Sequence, residues 1–456
     1  MLDRPVGVES LGFRDELLNG EIRLGVWGCG YIGLTAAAYF ANSGVSVLGH
    51  DVVPRVVESV NRGEVWIPNL DKWLGFPIEP LVESRTLQAS ADWKEMLAPD
   101  VRVHLIAIPT EKGSEPWYEP LLDVVGKIAK RKPTVEKPDL VIVESTLTPG
   151  RCDQVVVKTL EKQGWTVGKQ FLVGVAPRRD WFISPDKDLK SLPRVFGGTT
   201  PETTRAMQEV LGIVCDNLVP ASNHGTAEMV KSVENMYRHV GIVIAIELAK
   251  AYPDLNILEV CRLVGTKWNI PTYFPSVGTG GYCIPLSSKY VLQGSQHPEH
   301  LGILNDVIES DSDQPYLVAD LISKRIGNRK AGILGLSYKG DLKVHILSPT
   351  LRLVDGLRRH GIDVTVHDPY YTKAEIQEIA GTATFNYPRD LRNFDCIVIV
   401  PEHRMYSQTP KPVLFSNLRS GQLIIDNIGV WERFRDSFKK NGIDYRRIGD
   451  AGWSRT

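Results

Sequence analysis

Short apolar runs separated by longer amphipathic or polar stretches set the rhythm of the first half of the chain. Ile22 to Trp27 reads as a buried strand, Leu34 to Asn42 as an Ala-rich helix, and Val45 to Leu48 as a second strand. Further strands are predicted at Val103 to Ile108, Leu140 to Val143 and Phe171 to Val175, and such alternation predicts a mainly parallel sheet. Between about Thr226 and Tyr252 the period changes. Met229, Val233, Met236, Val240, Ile244 and Leu248 recur every three or four positions, the spacing of one long helix, and a mostly helical region continues to about Ser323. The first pattern then restarts, with strand Ala331 to Leu334, helix Pro349 to His360, and strands near Val364, Ile397 and Ile424. The predicted boundaries are an extension over 1–20, an α/β domain over 21–215, a helical domain over 216–325 and a second α/β domain over 326–456.

Composition narrows this picture mainly by exclusion. At 456 residues the chain exceeds what one core normally serves, in keeping with several domains. Its 53 Lys and Arg are interspersed with 54 Asp and Glu, so no basic stripe points to a nucleic-acid partner. The longest apolar stretch, Val240 to Ala249, is too short to cross a bilayer and is interrupted by Glu247; the N-terminus lacks the pattern of a secretory signal. Six scattered cysteines predict reduced thiols, and hence a soluble cytoplasmic protein without a membrane partner. His50, His104, His224 and His239 show no metal-ligand spacing, so no metal is expected.

Three segments could carry chemistry. The first, Gly28-Cys-Gly30-Tyr31-Ile32-Gly33, joins a strand to a helix: Gly28 permits a tight turn, Gly30 a close approach to a pyrophosphate, and Gly33 close helix–strand packing. The helix N-terminus would face the phosphate charge, and Asp51, 18 residues after Gly33, could bind ribose hydroxyls, a choice that favours NAD over NADP. The second, Ser276-Val-Gly-Thr-Gly-Gly-Tyr-Cys283-Ile-Pro285, sets one thiol in glycine-rich backbone that a ligand can approach. The third lies on the long helix, where i to i+4 spacing puts Lys231 and Asn235 on one face, offering an ammonium and an amide to a developing oxyanion. Alone, that pair reads more readily as a solvated lysine and a surface polar residue.

These motifs, together with Ile108-Pro109-Thr110, Val143-Glu144-Ser145-Thr146, Pro149-Gly150, Gly335-Leu-Ser-Tyr-Lys339, Ser348-Pro349 and Ile425-Asp426-Asn427, run in order over nearly the whole chain. The chain thus resembles the UDP-glucose/GDP-mannose dehydrogenase family. The resemblance implies an α/β fold of two Rossmann-like doubly wound parallel-sheet domains joined by a central helical domain: an N-terminal NAD-binding domain, a central domain that builds a homodimer, and a C-terminal domain that holds a nucleotide-sugar substrate. It makes Cys283 the nucleophile, Lys231 and Asn235 oxyanion and water-positioning groups that also touch substrate, and Thr146 a further catalytic contact. Cofactor contacts would come from Gly28, Gly30, Tyr31, Ile32, Gly33, Asp51, Pro109, Thr110 and Thr146, and substrate contacts also from Lys267, Gly280, Gly281 and Lys339.

Three positions depart from the family. Arg178 stands where relatives have a glutamate that assists thioester hydrolysis; Ser287 replaces an aspartate four residues after the nucleophile; and the stretch Gly340 to Leu347 lacks a cofactor-contacting arginine. Hydride removal needs neither acid, whereas hydrolysis needs a base and an ordered water. Two outcomes therefore stand level for a UDP- or GDP-linked sugar oxidised at its carbon 6 hydroxyl. In one, the reaction stops after one hydride and gives a keto-sugar from a secondary alcohol of a modified or longer-chain sugar. In the other, four-electron oxidation through a Cys283 thioester gives a uronic acid. An NAD-retaining epimerase and a catalytically silent nucleotide-sugar binder are the remaining alternatives.

Overall fold

The computed structural model describes residues 10–67, 70–113, 115–180, 187–327 and 329–454; the first nine residues of the expected extension lie outside them. They fall into two compact units, Met1–Val233 with Gln293–Gln296, and Glu234–Leu292 with His297–Thr456.

The first unit is built on an eight-stranded sheet. Its strands are β1 (Arg23–Trp27), β2 (Val47–His50), β3 (Leu87–Ser90), β4 (Val101–Ile106), β5 (Asp139–Val143), β6 (Phe171–Val175), β7 (Arg194–Gly198) and β8 (Leu218–Pro220), in the order β8-β7-β6-β5-β4-β1-β2-β3. All neighbours pair in parallel except β6 with β7. The sheet reverses direction of growth between β1 and β4, the crevice where dinucleotides bind in such folds. Successive strand residues feed opposite faces: Leu24, Val26, Val103, Leu105, Leu140 and Ile142 pack in one cluster, and Trp27, Val101, Ile106, Val141, Val143 and Val173 in another. Burial on both faces is why these strands read as unbroken apolar runs.

In the second unit, β9 (Lys330–Leu334), β10 (Asp363–His367), β11 (Cys396–Ile399), β12 (Leu423–Asp426) and β13 (Asp444–Arg447) form a wholly parallel sheet in the order β10-β9-β11-β12-β13, with its own switch point between β9 and β11. The central helical domain contributes α2 (His224–Ala251), α3 (Ile257–Val264), α4 (Ile284–Gly294) and α5 (Gly302–Ile326). Helix α1 (Tyr31–Asn42) starts earlier than its apolar period suggests, so Gly33 lies within its first turn. No described helix is long and apolar enough to cross a membrane.

Candidate active site

The glycine turn after β1 is explained by crowding at two of its three glycines. A Cβ on Gly28, which has φ 92°, would stand 2.5 Å from the Ala107 carbonyl oxygen, and one on Gly33 only 1.8 Å from the Gly28 carbonyl oxygen. At Gly30 a Cβ would meet no described atom within 4 Å, so the protein's own packing does not explain that glycine. Open space beside the first turn of α1, which no side chain caps, fits a pyrophosphate brought close to backbone N–H groups. Asp51, just past β2, accepts the Cys29 N–H at 2.8 Å and the Val53 N–H at 2.9 Å, tying the turn to the neighbouring strand end. Burial, and then the Asp51 charge, push the Cys29 thiol up to about 12, so it takes no part as a thiolate.

Across the switch point, the segments after β4 and β5 are stitched together. Ser145 Oγ accepts the Ile108 N–H at 2.9 Å and donates to the Ile108 carbonyl at 2.7 Å; Thr110 Oγ1 donates to the Thr146 carbonyl at 2.6 Å. These bonds hold Pro109, Thr110 and Thr146 at the carboxyl ends of β4 and β5. Glu144, the next residue after β5, is buried and ion-paired to Arg194 and, at 3.5 Å, to Arg178.

Arg178, which stands where the resemblance implies an acid, is 4% exposed and also pairs with Asp180. Its remaining N–H groups donate to the Ile32 carbonyl at 3.2 Å and to Thr35 Oγ1 at 3.1 Å, both on α1. Burial works against the Arg178 charge, but Asp180 and Glu144 outweigh it and hold the guanidinium protonated. The arginine thus closes a buried charge cluster and braces the helix that follows the glycine turn.

The second unit holds the cysteine loop. Gly280 and Gly281 lie against Tyr338 of the Gly335–Lys339 motif: a Cβ on either would fall 2.5 or 2.4 Å from its side chain, and Gly281 has φ 81°. The loop backbone is gripped at several points. Val277 N–H donates to Asn427 Oδ1 at 2.8 Å, Thr279 N–H to Asp311 Oδ1 at 2.8 Å and Gly281 N–H to the Ile346 carbonyl at 2.9 Å. Cys283 directly precedes α4, at a helix end whose partial positive charge favours an anion, and it is exposed while the other five cysteines are buried. Ser287 Oγ donates to the Cys283 carbonyl and accepts from Asn235 Nδ2 at 3.1 Å. Where the resemblance implies an acid, a neutral hydroxyl bonded to backbone and amide joins α2 to the cysteine turn.

Asn235 is buried and Lys231, one turn earlier on α2, is half-buried. Lys267 is exposed in the segment after α3. Lys339 lies at the second switch point and pairs with Glu402 at 2.5 Å. Nearby, Asp368 after β10 accepts the Leu336 and Ser337 N–H groups, each at 2.9 Å, much as Asp51 holds the turn after β1. Sequence reading assigns no role to Asp368, Asp311, His239 or Arg194; their partners lie 31 to 50 positions away, beyond any local period.

Residues 22–213 match the NAD binding domain of the UDP-glucose/GDP-mannose dehydrogenase family, 225–312 its central domain and 332–433 its UDP binding domain. A UDP-N-acetyl-D-mannosamine dehydrogenase of Methanococcus vannielii is 25% identical over 441 residues, covering 94% of this chain and 97% of the relative. One from Escherichia coli is 28% identical over 435 residues, 90% and 99% of the two chains. Among solved structures, the UDP-D-ManNAc dehydrogenase of Pyrococcus horikoshii has a TM-score of 0.81 at 24% identity, covering 94% of this chain and 100% of that one. A UDP-glucose dehydrogenase from Pyrobaculum islandicum gives 0.78 at 22% identity, covering 98% and 100%. At these identities the solved structures establish the shared fold.

Proposed function

The chain belongs to the UDP-glucose/GDP-mannose dehydrogenase family, and from that premise we propose that it removes a single hydride from a UDP-linked sugar and releases a keto-sugar. It is an NAD-dependent oxidoreductase acting on CH–OH groups of nucleotide sugars. When bound, NAD supplies the hydride acceptor. The cradle of Gly28, Gly30, Tyr31, Ile32 and Gly33, with Asp51, Pro109, Thr110 and Thr146, is assigned to hold it.

Oxidation of the alcohol passes its carbon-bound hydrogen to NAD as hydride and its O–H proton to water, and the oxygen must be stabilised as charge develops on it. We assign that stabilisation to the Lys231 ammonium and the Asn235 amide. Lys267, Gly280, Gly281 and Lys339 are assigned to the substrate, and Cys283 and Thr146 to the reacting end. The observation that carries the single-hydride reading is the buried cluster around Arg178. Its protonated guanidinium is committed to Glu144, Asp180 and α1, and Ser287 is a neutral hydroxyl, so neither position supplies the base that hydrolysis of a thioester would need. A secondary alcohol, as at carbon 6 of a longer-chain sugar, ends as a ketone and cannot lose a second hydride to become a thioester.

The four-electron reading keeps one specific support, the exposed Cys283 thiol at the start of α4. Incubating purified protein with NAD and a panel of UDP- and GDP-sugars, with NADH counted against product mass, separates the two. One NADH per sugar and a product lighter by two hydrogens is expected. Two NADH and an acid product would overturn the single-hydride reading.

We also assign domains over 21–215, 216–325 and 326–456, and a cytoplasmic homodimer. Support for the dimer is an exposed apolar set around α3: Leu255, Leu263 and Ile270 are exposed, and Trp268 is 93% exposed.

A further inference from the structure

His239 lies one turn beyond Asn235 on the same face of α2, and both are buried. Each bonds a serine of α4, the helix that Cys283 opens: Asn235 reaches Ser287, and His239 Nδ1 lies 2.9 Å from Ser288 Oγ. The other ring nitrogen of His239 is 3.4 Å from Asp311 Oδ2 on α5. Asp311 accepts the Thr279 N–H at 2.8 Å on one oxygen and the Thr279 hydroxyl at 2.7 Å on the other. One turn further along α5, Gln314 donates to the Ser276 carbonyl at 3.0 Å. Helix α5 therefore grips the start of the glycine loop, α2 grips the helix at its end, and the two helices meet where the buried His239 Nε2, which makes no hydrogen bond, faces the Asp311 carboxylate.

His239, Ser288, Asp311 and Thr279 are all buried, so this polar cluster is tied to its partners and not to bulk water. Burial pushes the Asp311 carboxyl up, but His239 and the two Thr279 donors more than offset that and bring it below its ordinary range. A buried carboxylate with both oxygens committed is costly to move, because leaving the cluster exposes an unpaired charge to an apolar interior. At its glycines the loop has no side chains of its own to anchor it, so its place depends on these bonds from outside: Gly278, Gly280 and Gly281 carry none, and two of them have positive φ.

We infer that the His239–Asp311 pair, acting through Thr279 and Ser288, is the positioning device that sets where the Cys283 thiol stands relative to Asn235. These are positioning residues. The inference rests on placing the reaction at the Cys283 loop, as proposed above.

Because Cys283 is exposed and the other five cysteines are buried, alkylation by iodoacetamide in the native protein reads one thiol. Asp311→Asn, Thr279→Val and Thr279→Ser in the full chain are to be compared with wild type for alkylation rate, kcat, and KM for NAD. For Asp311→Asn and Thr279→Val, a changed alkylation rate and a kcat lowered about tenfold to hundredfold are expected, the scale that a displacement of roughly 1 Å costs. KM for NAD should stay the same, and Thr279→Ser, which keeps the hydroxyl, should recover most of the loss. Wild-type alkylation and kcat in a folded Thr279→Val protein would overturn the inference, as would Thr279→Ser being as impaired as Thr279→Val. The threonine pair decides the matter even if Asp311→Asn does not fold. Alkylation needs no turnover. Should wild type oxidise no nucleotide sugar while the variants still shift alkylation, the proposed reaction fails and the positioning role stands.

Discussion

Gly30 and Gly33 look alike in the sequence but answer to different neighbours. Gly33 is demanded by the protein itself, with the Gly28 carbonyl oxygen 1.8 Å from where a Cβ would be, whereas Gly30 borders open space. Gly33→Ala should therefore cost about 1–3 kcal/mol of stability through overpacking as well as weakening NAD binding. Gly30→Ala should leave the urea midpoint unchanged and appear only in an NAD titration; a lowered midpoint for Gly30→Ala would show that it too is structural. Arg178 makes a sharper case. Restoring the family's acid by Arg178→Glu would add a carboxylate beside Glu144 and Asp180 and remove their shared cation. A loss of about 3–5 kcal/mol is expected, measured by chemical denaturation, without any second NADH per sugar. Thr146 and Asn235 could be singled out from motif and spacing as candidates. What they bond to was not, because Thr110 lies 36 positions from Thr146 and Ser287 lies 52 from Asn235.

A central strand of the first sheet and an edge strand of the second carry histidines that the fold keeps neutral. His104 on β4 is buried beside Trp27, whose indole N–H donates to its Nδ1 at 3.3 Å; burial, and then Arg131, lower its pKa to about 3. On β10, burial lowers that of His367 to about 4, with His403 adding to the effect and Asp368 opposing it. Unfolded, each imidazole takes up a proton below about pH 6.5. The unfolded chain therefore binds more protons between that pH and the folded values. Stability should be complete above pH 6.5 and fall by about 1.4 kcal/mol per pH unit for each histidine as pH drops through this window. Urea unfolding of wild type, His104→Gln and His367→Gln from pH 7.5 to pH 4.5 checks it: the variants should show shallower slopes, and unchanged slopes would contradict the assignment. At this scale β1, β4, β5 and β6 were visible as apolar runs because both faces of each are covered. Strands β3, β8 and β13 passed unnoticed, being short edge strands: polar residues blur the period of β3 and β13, and β8 is only three residues long and ends in a proline.

For the whole molecule, the exposed apolar set around α3 is the feature a single chain leaves unexplained. Trp268 at 93% exposure is a large apolar surface to offer water, and its burial against a second copy is the simplest account. Wild type should sediment as a dimer and Trp268→Lys should shift toward monomer, the dissociation constant rising by about tenfold or more, as expected for a buried aromatic anchor. A wild-type protein that sediments as a monomer at micromolar concentration would rule the dimer out.

What the sequence determined by itself was local. The close packing at Gly33, the distance from the glycine turn to Asp51, the apolar runs of the central strands and the long period of α2 are all written in residues close along the chain. Steric exclusion and side-chain periodicity act at that range, so pattern alone could expose them. The pairing of charges was decided by tertiary structure. Whether Arg178 faces a substrate or is locked against Glu144, and whether His239 is idle or faces Asp311, depends on which distant segments packing brings together. Desolvation then makes those pairs binding, since a buried charge cannot be left without its partner.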